Sequence, residues 1–392
     1  MSKNDLTVCI VPLCGRGQRF KDEGFLLPKP MIDIDGESII YHSMQSIYPA
    51  FKKLIFIVRE SDVLDFSIDA YLKSKFGDDT IIVVSNKETK GAVESVLLAK
   101  DHLKDNDRVF LWCSDIKCDE LDPNAIHDDV DGLLYTFKSN NPAYSYCQIE
   151  NDVVTKVEEK KVISEWANVG GYYFKSWKIF KTAAKRMIDR DDTINGEFYI
   201  SKVYNYMIKK GLKVKHQSVE KIYIFGTPSE YRFYRDCALN EFKKEKAKIG
   251  ICADHSGFGA KELAKTVLSK LGFEWNDYGC HSTKACDYVT YAQGAIEALN
   301  RKDVQFILLF CATGEGMCIT ANKNPNVRCA LIFDEYVAEM SIRHNCANAF
   351  AFPAVNMNEK LLEKIITKMS QSTHDGGRHE NRLIRMMEMN NG

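Results

Sequence analysis

Residues 7–20 have the sequence TVCIVPLCGRGQRF, and LPKP follows at residues 27–30. The apolar run 7–13 predicts a buried strand, and the two glycines after it predict a tight turn. Such a turn lets backbone N–H groups approach phosphate oxygens, because no Cβ stands in the way. Arg19 and Lys29 add mobile positive charge. The pattern therefore predicts a polyphosphate site at the end of the first strand of an α/β sheet.

Strand-like and helix-like segments alternate along the rest of the chain. In the first half, strands are predicted at 54–58, 81–84, 108–113 and 132–137, and helices at 38–46, 92–103 and 177–188. After the lysine-rich segment 241–248, strands are predicted at 249–253, 305–311, 328–333 and 349–352, and helices at 259–271, 317–322, 335–344 and 359–370. We expect two α/β domains, 1–245 and 246–392, each a Rossmann-like, mostly parallel sheet covered by helices. Ligands should bind at the carboxyl ends of the strands.

The composition is that of an ordinary folded protein. Its 392 residues carry 53 Lys and Arg against 54 Asp and Glu, so no basic excess points to nucleic acid as a partner. The apolar runs are too short to cross a membrane and the N-terminus lacks a signal-peptide core, so we expect a cytoplasmic protein without a membrane partner. The 13 Cys include no Cys-x-x-Cys pair, which favours reduced thiols over a zinc cluster or a disulfide scaffold.

Further segments of the first half belong to one pattern with the glycine turn. They are TKGA at 89–92, LWCSD at 111–115, VEEKK at 157–161, NVGGY at 168–172, NGEFY at 195–199 and GTP at 226–228. With them, residues 6–235 resemble the sugar nucleotidylyltransferases. The resemblance implies nucleotide binding by Leu13, Gly15, Gly17, Arg19, Lys29 and Gly91, and sugar-phosphate binding by Glu158, Lys160, Asn168, Gly170 and Glu197. It also implies that Asp115 is a Mg²⁺ ligand.

The implied reaction is attack of a phosphomonoester on the α-phosphate of an NTP, with release of pyrophosphate. Catalysis would depend on positioning and on charge neutralisation by Mg²⁺, Arg19 and Lys29. The sequence departs from the family at Phe225, where many relatives have an Asp as a second metal ligand. Two interpretations stay open: Asp115 suffices, with NTP phosphates and waters completing the shell, or the transferase domain is inactive.

Polar and glycine-rich segments also follow the predicted strands of the second half. They are DHSGF at 254–258, CATGEG at 311–316, RHN at 343–345 and GGRHENR at 376–382. Small residues at a strand-to-helix turn build an anion-binding nest, which would also make Cys311 a plausible thiolate base. Together these segments resemble ribose-5-phosphate isomerase B and the related galactose-6-phosphate isomerase subunits over about residues 246–390.

This second resemblance implies a role for each matching position. Cys311 would move a proton between C1 and C2 of the sugar, and Thr313 and His344 would assist ring opening. Contacts to the enediolate, the sugar and its phosphate would come from Asp254, His255, Asp287, Tyr288, Gly314, Gly316, Asn345, Arg378, His379 and Arg382. Glu315 is the alternative base, because some relatives lack the Cys and place a Glu at this turn. Relatives assemble the site between two subunits, which implies a homodimer or a larger oligomer, and no cofactor is expected for this domain.

Two sugar-phosphate activities on one chain predict consecutive steps. An aldose–ketose isomerisation would precede transfer of a nucleotide onto a sugar or alditol phosphate, for bacterial surface glycan. The partners would be an NTP and that phosphate. Two alternatives remain: the C-terminal domain is a sugar-phosphate sensor that regulates the transferase, or the transferase domain is an inactive scaffold and only the isomerase works.

Overall fold

The computed structural model describes residues 8–118, 121, 129–239, 241–243, 245, 247–376 and 378–389. The chain forms two compact units, Met1–Tyr231 and Arg232–Gly392. Each unit has its own main β-sheet. No helix in the described part is long and apolar enough to cross a membrane.

The first unit alternates strands and helices from its beginning. Its strands are β1 Val8–Pro12, β2 Asp33–Ile34, β3 Glu37–Ser38, β4 Lys53–Arg59, β5 Ile81–Ser85, β6 Val109–Trp112, β7 Ile116–Lys117, β8 Gly132–Lys138, β9 Ser145–Glu150, β10 Val153–Glu159, β11 Trp166–Phe174, β12 Val214–Ser218 and β13 Tyr223–Ile224. Its α-helices are α1 Gln18–Asp22, α2 Ile39–Met44, α3 Glu60–Phe66, α4 Ile68–Phe76, α5 Ala92–Leu97, α6 Trp177–Asp189 and α7 Ile200–Ile208, and α8 Pro228–Phe233 continues across the unit boundary.

The main sheet of this unit has nine strands. Along it the order is β10-β9-β11-β6-β1-β4-β5, and β8 pairs with both β11 and β12. The strands β5, β4, β1 and β6 are mutually parallel, whereas β11 enters antiparallel to β6. The α/β class is confirmed, and the sheet is mixed because β11 is antiparallel to β6, β8 and β9 and because β10 is antiparallel to β9. The chain order reverses on either side of β1, so a crevice opens at the carboxyl ends of β1 and β6.

Strand β1 shows why the sheet is covered on both faces. Val8 and Ile10 belong to one buried apolar cluster, while Cys9 and Val11 belong to another. Successive side chains of a strand point to opposite faces, so each face has its own core. A strand buried on both faces is continuously apolar, as the sequence 8–12 is.

The second unit is a five-stranded parallel sheet with helices around it. Its strands are β14 Lys248–Ala253, β15 Glu274–Asp277, β16 Phe306–Cys311, β17 Cys329–Leu331 and β18 Ala349–Pro353. Its helices are α9 Phe258–Leu271, α10 Tyr288–Asn300, α11 Glu315–Ala321, α12 Glu335–Arg343, α13 Glu359–Gln371 and α14 Arg378–Met389. The strand order is β15-β14-β16-β18-β17, with every pairing parallel. The order reverses between β14 and β16, which places the second crevice at their carboxyl ends.

The division between the units differs from the boundary that the sequence suggests near residue 245. The segment before residue 245 packs into the second unit: Phe233 and Cys237 share a buried apolar cluster with Cys346 and Leu383, and Phe242 is buried as well. Its ring contacts Phe273, Phe306 and Phe350 at centroid distances of 5.2, 5.0 and 5.7 Å. Full burial of a phenylalanine contributes about 1.5–3 kcal/mol, so this residue belongs to the core of the second unit despite its lysine-rich surroundings.

A fully buried lysine lies beside the first strands of the second unit. The Lys261 ammonium donates to both carboxylate oxygens of Asp277 at 2.7 Å and to the carbonyl of Cys280 at 2.6 Å. Asp277 also accepts from Lys265 at 3.0 Å, and its pKa is lowered because these bonds outweigh its desolvation. The cluster fixes the chain that leaves β15.

Candidate active sites

A cleft of about 1040 Å³ opens at the carboxyl ends of the parallel strands of the first unit. It is lined by all six residues that sequence reasoning assigned to the nucleotide: Leu13, Gly15, Gly17, Arg19, Lys29 and Gly91. The expected metal ligand Asp115 and Glu197 of the sugar-phosphate set also line it. The cleft lies where the sheet topology predicts a ligand site.

The glycine turn after β1 packs against the Pro-Lys-Pro segment. Gly17 has a φ of +63°, and a Cβ on it would lie 3.3 Å from Cβ of Lys29. A side chain at this position would be strained by the backbone and crowded by the lysine. The turn and Lys29 are thus held side by side in the cleft wall.

Lys29 reaches across the cleft to the end of β6. Its ammonium lies 2.6 Å from Oδ2 of Asp115, and both side chains are partly exposed to the cleft. This pair joins positions that are 86 residues apart, which a single sequence cannot reveal. The pair places one ammonium and one carboxylate side by side in the cleft.

The TKGA segment at 89–92 and the NGEFY segment at 195–199 are held together by backbone hydrogen bonds. The backbone N–H of Phe198 donates to the carbonyl of Lys90 at 2.6 Å, and that of Val93 donates to the carbonyl of Phe198 at 3.3 Å. Gly91 has a φ of +107°, and a Cβ there would lie 2.8 Å from both the N and the O of Phe198. Only glycine fits this approach, which holds Glu197 at the cleft wall.

The remaining sugar-phosphate candidates lie around β10 and β11. Glu158 pairs with Lys156 at 2.8 Å, while Lys160 donates to the hydroxyl of Tyr199 at 2.7 Å. The buried Asn168 donates to Ser145 at 2.8 Å.

Gly170 has a local structural constraint of its own. A Cβ on it would lie 2.8 Å from Ile116 and 3.0 Å from Cβ of Cys113, so glycine lets β11 pass close to the end of β6. None of Glu158, Lys160, Asn168 and Gly170 is among the residues that line the cleft.

Position 225 is apolar in the structure as in the sequence. Phe225 is fully buried, and its backbone N–H donates to the carbonyl of Asp115 at 2.9 Å. The next residue, Gly226, brings two carboxylates together: a Cβ on it would lie 3.1 Å from Oδ2 of Asp115 and 3.3 Å from Oε2 of Glu230. Burial, and next the negative charge of Asp115, raise the pKa of Glu230.

In the second unit, the first group of candidates lies at the ends of β14 and β16. Asp254 is buried; its N–H donates to the carbonyl of Phe310 at 3.0 Å, and its Oδ1 accepts from the N–H of Gly257 at 2.8 Å. His255 accepts at Nδ1 from the N–H of Cys286 at 3.2 Å, which leaves Nε2 to carry the proton in the neutral ring. These bonds orient both side chains at the end of β14, and Cys311 is the last residue of the adjacent strand β16.

The turn after Cys311 is shaped by two glycines. Gly314 has a φ of +77° and precedes α11, and a Cβ on it would contact the backbone of Phe352 at 2.9 Å. A Cβ on Gly316 would lie 3.0 Å from the ring of Tyr288.

Three other candidates, Asp287, Thr313 and Glu315, lie in the same region. Asp287 caps α10 by accepting from the N–H of Val289 at 2.9 Å. Thr313 accepts from the N–H of Glu315 at 3.4 Å. Cys311 is buried, whereas Thr313 and Glu315 are exposed. The structure thus brings Asp287, Tyr288 and the turn together around β16.

The second group lies after α12. The rings of His344 and His379 are stacked, with centroids 3.9 Å apart, and Nε2 of His344 lies 3.6 Å from Oδ2 of Asp375. Arg343 donates to both oxygens of Asp375, at 3.0 and 3.1 Å. Asn345 and Arg382 are exposed, and the side chain of Arg378 lies outside the described residues. The described contacts of the His344 ring are with Asp375 and His379.

Comparison with known proteins decides the assignment of both units. The family model described as Nucleotidyl transferase matches residues 10–283, which is more than half of the chain. The chain belongs to this nucleotidyl transferase family. The nucleoside-diphosphate-sugar pyrophosphorylase from Vibrio cholerae RC9 is similar in structure, with a TM-score of 0.54 and 24% identity over 58% of this chain and 98% of that one. This similarity supports the fold.

The C-terminal part belongs to a second family. The model described as Ribose/Galactose Isomerase matches residues 249–386. A Rickettsia bellii (strain RML369-C) protein named "Putative sugar phosphate isomerase" is 33% identical over 138 residues, which are 35% of this chain and 96% of the relative. Ribose-5-phosphate isomerase B of Escherichia coli (strain K12) is 32% identical over 136 residues, 35% of this chain and 91% of the relative. The expected union of a nucleotidyl transferase and a sugar-phosphate isomerase in one enzyme is confirmed.

Sequence reasoning missed two carboxylates of the nucleotidyl transferase unit. Glu159 is half-buried, as is its neighbour Glu158; it accepts from the hydroxyl of Ser201 at 2.6 Å, and burial raises its pKa. Alternation along β10 turns the two side chains to opposite faces, and that pattern was the available signal. Glu230 was marked by the spacing Thr227-x-x-Glu230, which is typical of a helix capping box.

The donor set at the cleft fits the Mg²⁺ that nucleotidyl transferases commonly use. The Asp115 carboxylate is a hard oxygen donor, and it lies beside Gly226 with the second carboxylate of Glu230. Mg²⁺ is typically held by one or two carboxylates, with phosphates and waters completing the shell. Asp115 would hold the ion, and the ion would neutralise charge on the phosphates.

Proposed function

We propose that the first unit transfers a nucleotidyl group from an NTP to a sugar or alditol phosphate. The observation that carries this proposal is the Lys29–Asp115 pair at 2.6 Å in the cleft beneath the glycine turn. A phosphomonoester oxygen would attack the α-phosphorus, and the bond to the bridging oxygen would break to release pyrophosphate. Lys29 and Arg19 would stabilise the developing negative charge, and no covalent intermediate is needed.

Pyrophosphate release tests this proposal directly. The purified chain would be incubated with Mg²⁺, each of the four NTPs and a panel of sugar and alditol phosphates. Release with one pair identifies both substrates, and Asp115→Asn should reduce it by at least about 100-fold. Failure of every pair would favour the alternative that this unit is an inactive scaffold.

We propose that the second unit interconverts an aldose phosphate and a ketose phosphate through an enediolate. The supporting observation is the arrangement of Asp254, oriented His255 and buried Cys311 at the ends of two adjacent strands. Cys311 would take the C2 proton of the aldose and return a proton at C1, while backbone N–H groups of 312–316 would stabilise the enediolate oxygen. This unit would need no cofactor.

Two substitutions decide which residue is the base. Cys311→Ala should abolish isomerase turnover with pentose or hexose phosphates, while Glu315→Gln should retain it. The opposite pattern would assign the base to Glu315. If neither substrate class is turned over, and Arg382→Ala alters transferase kinetics, the unit would be a sensor.

We propose a homodimer, as the resemblance to ribose-5-phosphate isomerase B implies, in which His344 lies in one group with Asp375 and His379. In a dimer this group could complete the site of the partner subunit. Analytical ultracentrifugation tests the assembly. Mixing Cys311→Ala with His344→Ala chains tests the shared site, since exchange of subunits should restore part of the activity that each variant lacks.

The two activities would be consecutive steps toward a nucleotide sugar or nucleotide alditol for surface glycan. An isomerase of this type acts on a sugar whose phosphate is at the far end of the chain. Direct coupling would therefore need transfer onto that terminal phosphate; otherwise a reductase or a mutase must act between the steps. Because NTPs are made in the cytoplasm, we expect the enzyme to work there.

A further inference from the structure

The cleft of the transferase unit lacks a carboxylate at position 225, yet a second carboxylate lies beside Asp115. Phe225 is buried, and its N–H bonds to the carbonyl of Asp115. The adjacent Gly226 leaves an open position that both Asp115 and Glu230 border. A Cβ on Gly226 would lie 3.1 Å from Oδ2 of Asp115 and 3.3 Å from Oε2 of Glu230.

The Glu230 carboxylate is fixed in place by its own helix. It accepts from the backbone N–H of Thr227 at 2.8 Å, and the hydroxyl of Thr227 accepts from the N–H of Glu230 at 3.2 Å. This reciprocal capping box explains why a glutamate lies in the first turn of α8. The capping box accounts for the bond to Thr227, but not for the position of the Asp115 carboxylate at the same glycine.

Charge favours a cation between the two acids. Lys29 is the ammonium that the structure places on Asp115, so the formal charges of Asp115, Glu230 and Lys29 leave an excess of one negative charge. Oxygen donors of this kind, with a narrow gap left by glycine, suit a small divalent cation that also binds phosphates.

We propose that Glu230 supplies the second carboxylate of the divalent-cation site, in place of the one that Phe225 removes. The Glu230 carboxylate would bind the cation directly or through a bound water, while its hydrogen bond from the N–H of Thr227 keeps the helix cap. The inference rests on the proposed nucleotidyl transfer for its biological meaning, but its test is cation binding, which needs no turnover.

The test is a Mn²⁺ titration of the full-length chain followed by electron paramagnetic resonance, with and without each NTP and without any sugar phosphate. Glu230→Gln should weaken Mn²⁺ binding at the cleft by at least about tenfold, the loss expected when a partner of a metal site is removed. The glutamine oxygen can still accept from the N–H of Thr227, so the helix cap survives. A melting temperature within about 2 °C of the native value would verify this, because a lost cap costs about 1 kcal/mol.

Two further variants complete the design. Asp115→Asn should lose the Mn²⁺ bound at the cleft. Any Mn²⁺ binding that this variant retains reports other sites. One such site is the group His344, Asp375 and His379, whose ligand atoms lie within 4.8 Å of one another. Asp107→Asn is the matched control: Asp107 accepts a backbone N–H bond from Lys104 at 2.8 Å and does not line the cleft, so its variant should bind Mn²⁺ as the native chain does.

The inference is overturned if Glu230→Gln binds Mn²⁺ within about twofold of the native chain while Asp115→Asn does not. It is also overturned if the native chain shows no binding that depends on Asp115. Native binding that depends on both acids, in a chain that releases no pyrophosphate with any substrate pair, would uphold the inference and refute the proposed transfer.

Discussion

The contact between Gly91 and Phe198 makes the transferase site sensitive to a single added methyl group. In Gly91→Ala, the new Cβ would lie 2.8 Å from both backbone N and O of Phe198, at a φ of +107°. The backbone conformation alone costs about 1–3 kcal/mol for a residue other than glycine. The clash adds to this, because backbone atoms cannot move aside as a flexible side chain can.

Gly77→Ala is the matched control for the conformational term. Gly77 has a φ of +100°, and a Cβ there meets nothing within 4 Å. A cost of about 1–3 kcal/mol corresponds to a melting temperature lowered by about 2–12 °C in a unit of this size. We expect Gly77→Ala to show only this loss, with normal kinetics.

For Gly91→Ala we expect a larger loss of stability and a 10- to 100-fold fall in kcat/KM for pyrophosphate release. The fall follows because the displaced segment carries Glu197, and a displacement of about 1 Å at a reacting site can cost 100-fold. Calorimetry and the pyrophosphate assay measure the two effects. If Gly91→Ala melts like Gly77→Ala and keeps its kcat/KM, the close approach does not position the site.

Four other predictions can be tested on the same chain. Lys29→Met should reduce pyrophosphate release by at least about 100-fold. The control Lys75→Met removes an ion pair with Glu37 outside the cleft and should not reduce it. Equal losses in the two variants would contradict the role of Lys29. Phe242→Ala should destabilise the isomerase unit by about 3–5 kcal/mol in denaturant titrations, and a smaller effect than 1 kcal/mol would exclude it from that core. Burial lowers the pKa of His374 to about 4, so this histidine binds a proton less readily in the folded protein than in the unfolded chain. Its contribution to the free energy of unfolding should be complete above pH 6.5 and should fall by about 3 kcal/mol as the pH decreases to 4. His374→Phe should make the stability less dependent on pH in this range. A hydrogen bond from Cys329 lowers the pKa of the Cys318 thiol to about 7, so iodoacetamide should label Cys318 with a midpoint near pH 7. Labelling of Cys318 should be faster than that of Cys252, because burial raises the pKa of Cys252. Mass spectrometry would show the order of labelling, and preferential labelling of Cys252 would contradict the prediction.

Sequence patterns predicted the strands around both sites closely, because these strands are buried on both faces. The run 249–253 became β14 Lys248–Ala253, and 305–311 became β16 Phe306–Cys311. Glycines marked the turns after β1 and β16, where a positive φ or a close contact requires them. The antiparallel entry of β11 left no such mark, since alternation along the chain says nothing about strand direction in the sheet.

Contacts between distant segments were beyond the reach of one sequence. The Lys29–Asp115 pair and the stacked rings of His344 and His379 depend on how the strands are ordered and on how the helices pack. Phe242 lies in the lysine-rich segment 241–248, whose charges hide the fact that its ring packs in a core. Glu230 was overlooked because its capping role gave no hint of the acid beside it.

Among the described residues, the main sheet of the first unit contains only strands that precede the division between Tyr231 and Arg232. The main sheet of the second unit contains only strands that follow it. Because the two sheets are nonetheless encoded in one polypeptide, every translation event produces one copy of each catalytic unit. The cell cannot adjust their molar ratio by gene expression. If the units do act in sequence, the balance of flux between them can be set only by their turnover numbers and by the supply of NTP and sugar phosphate.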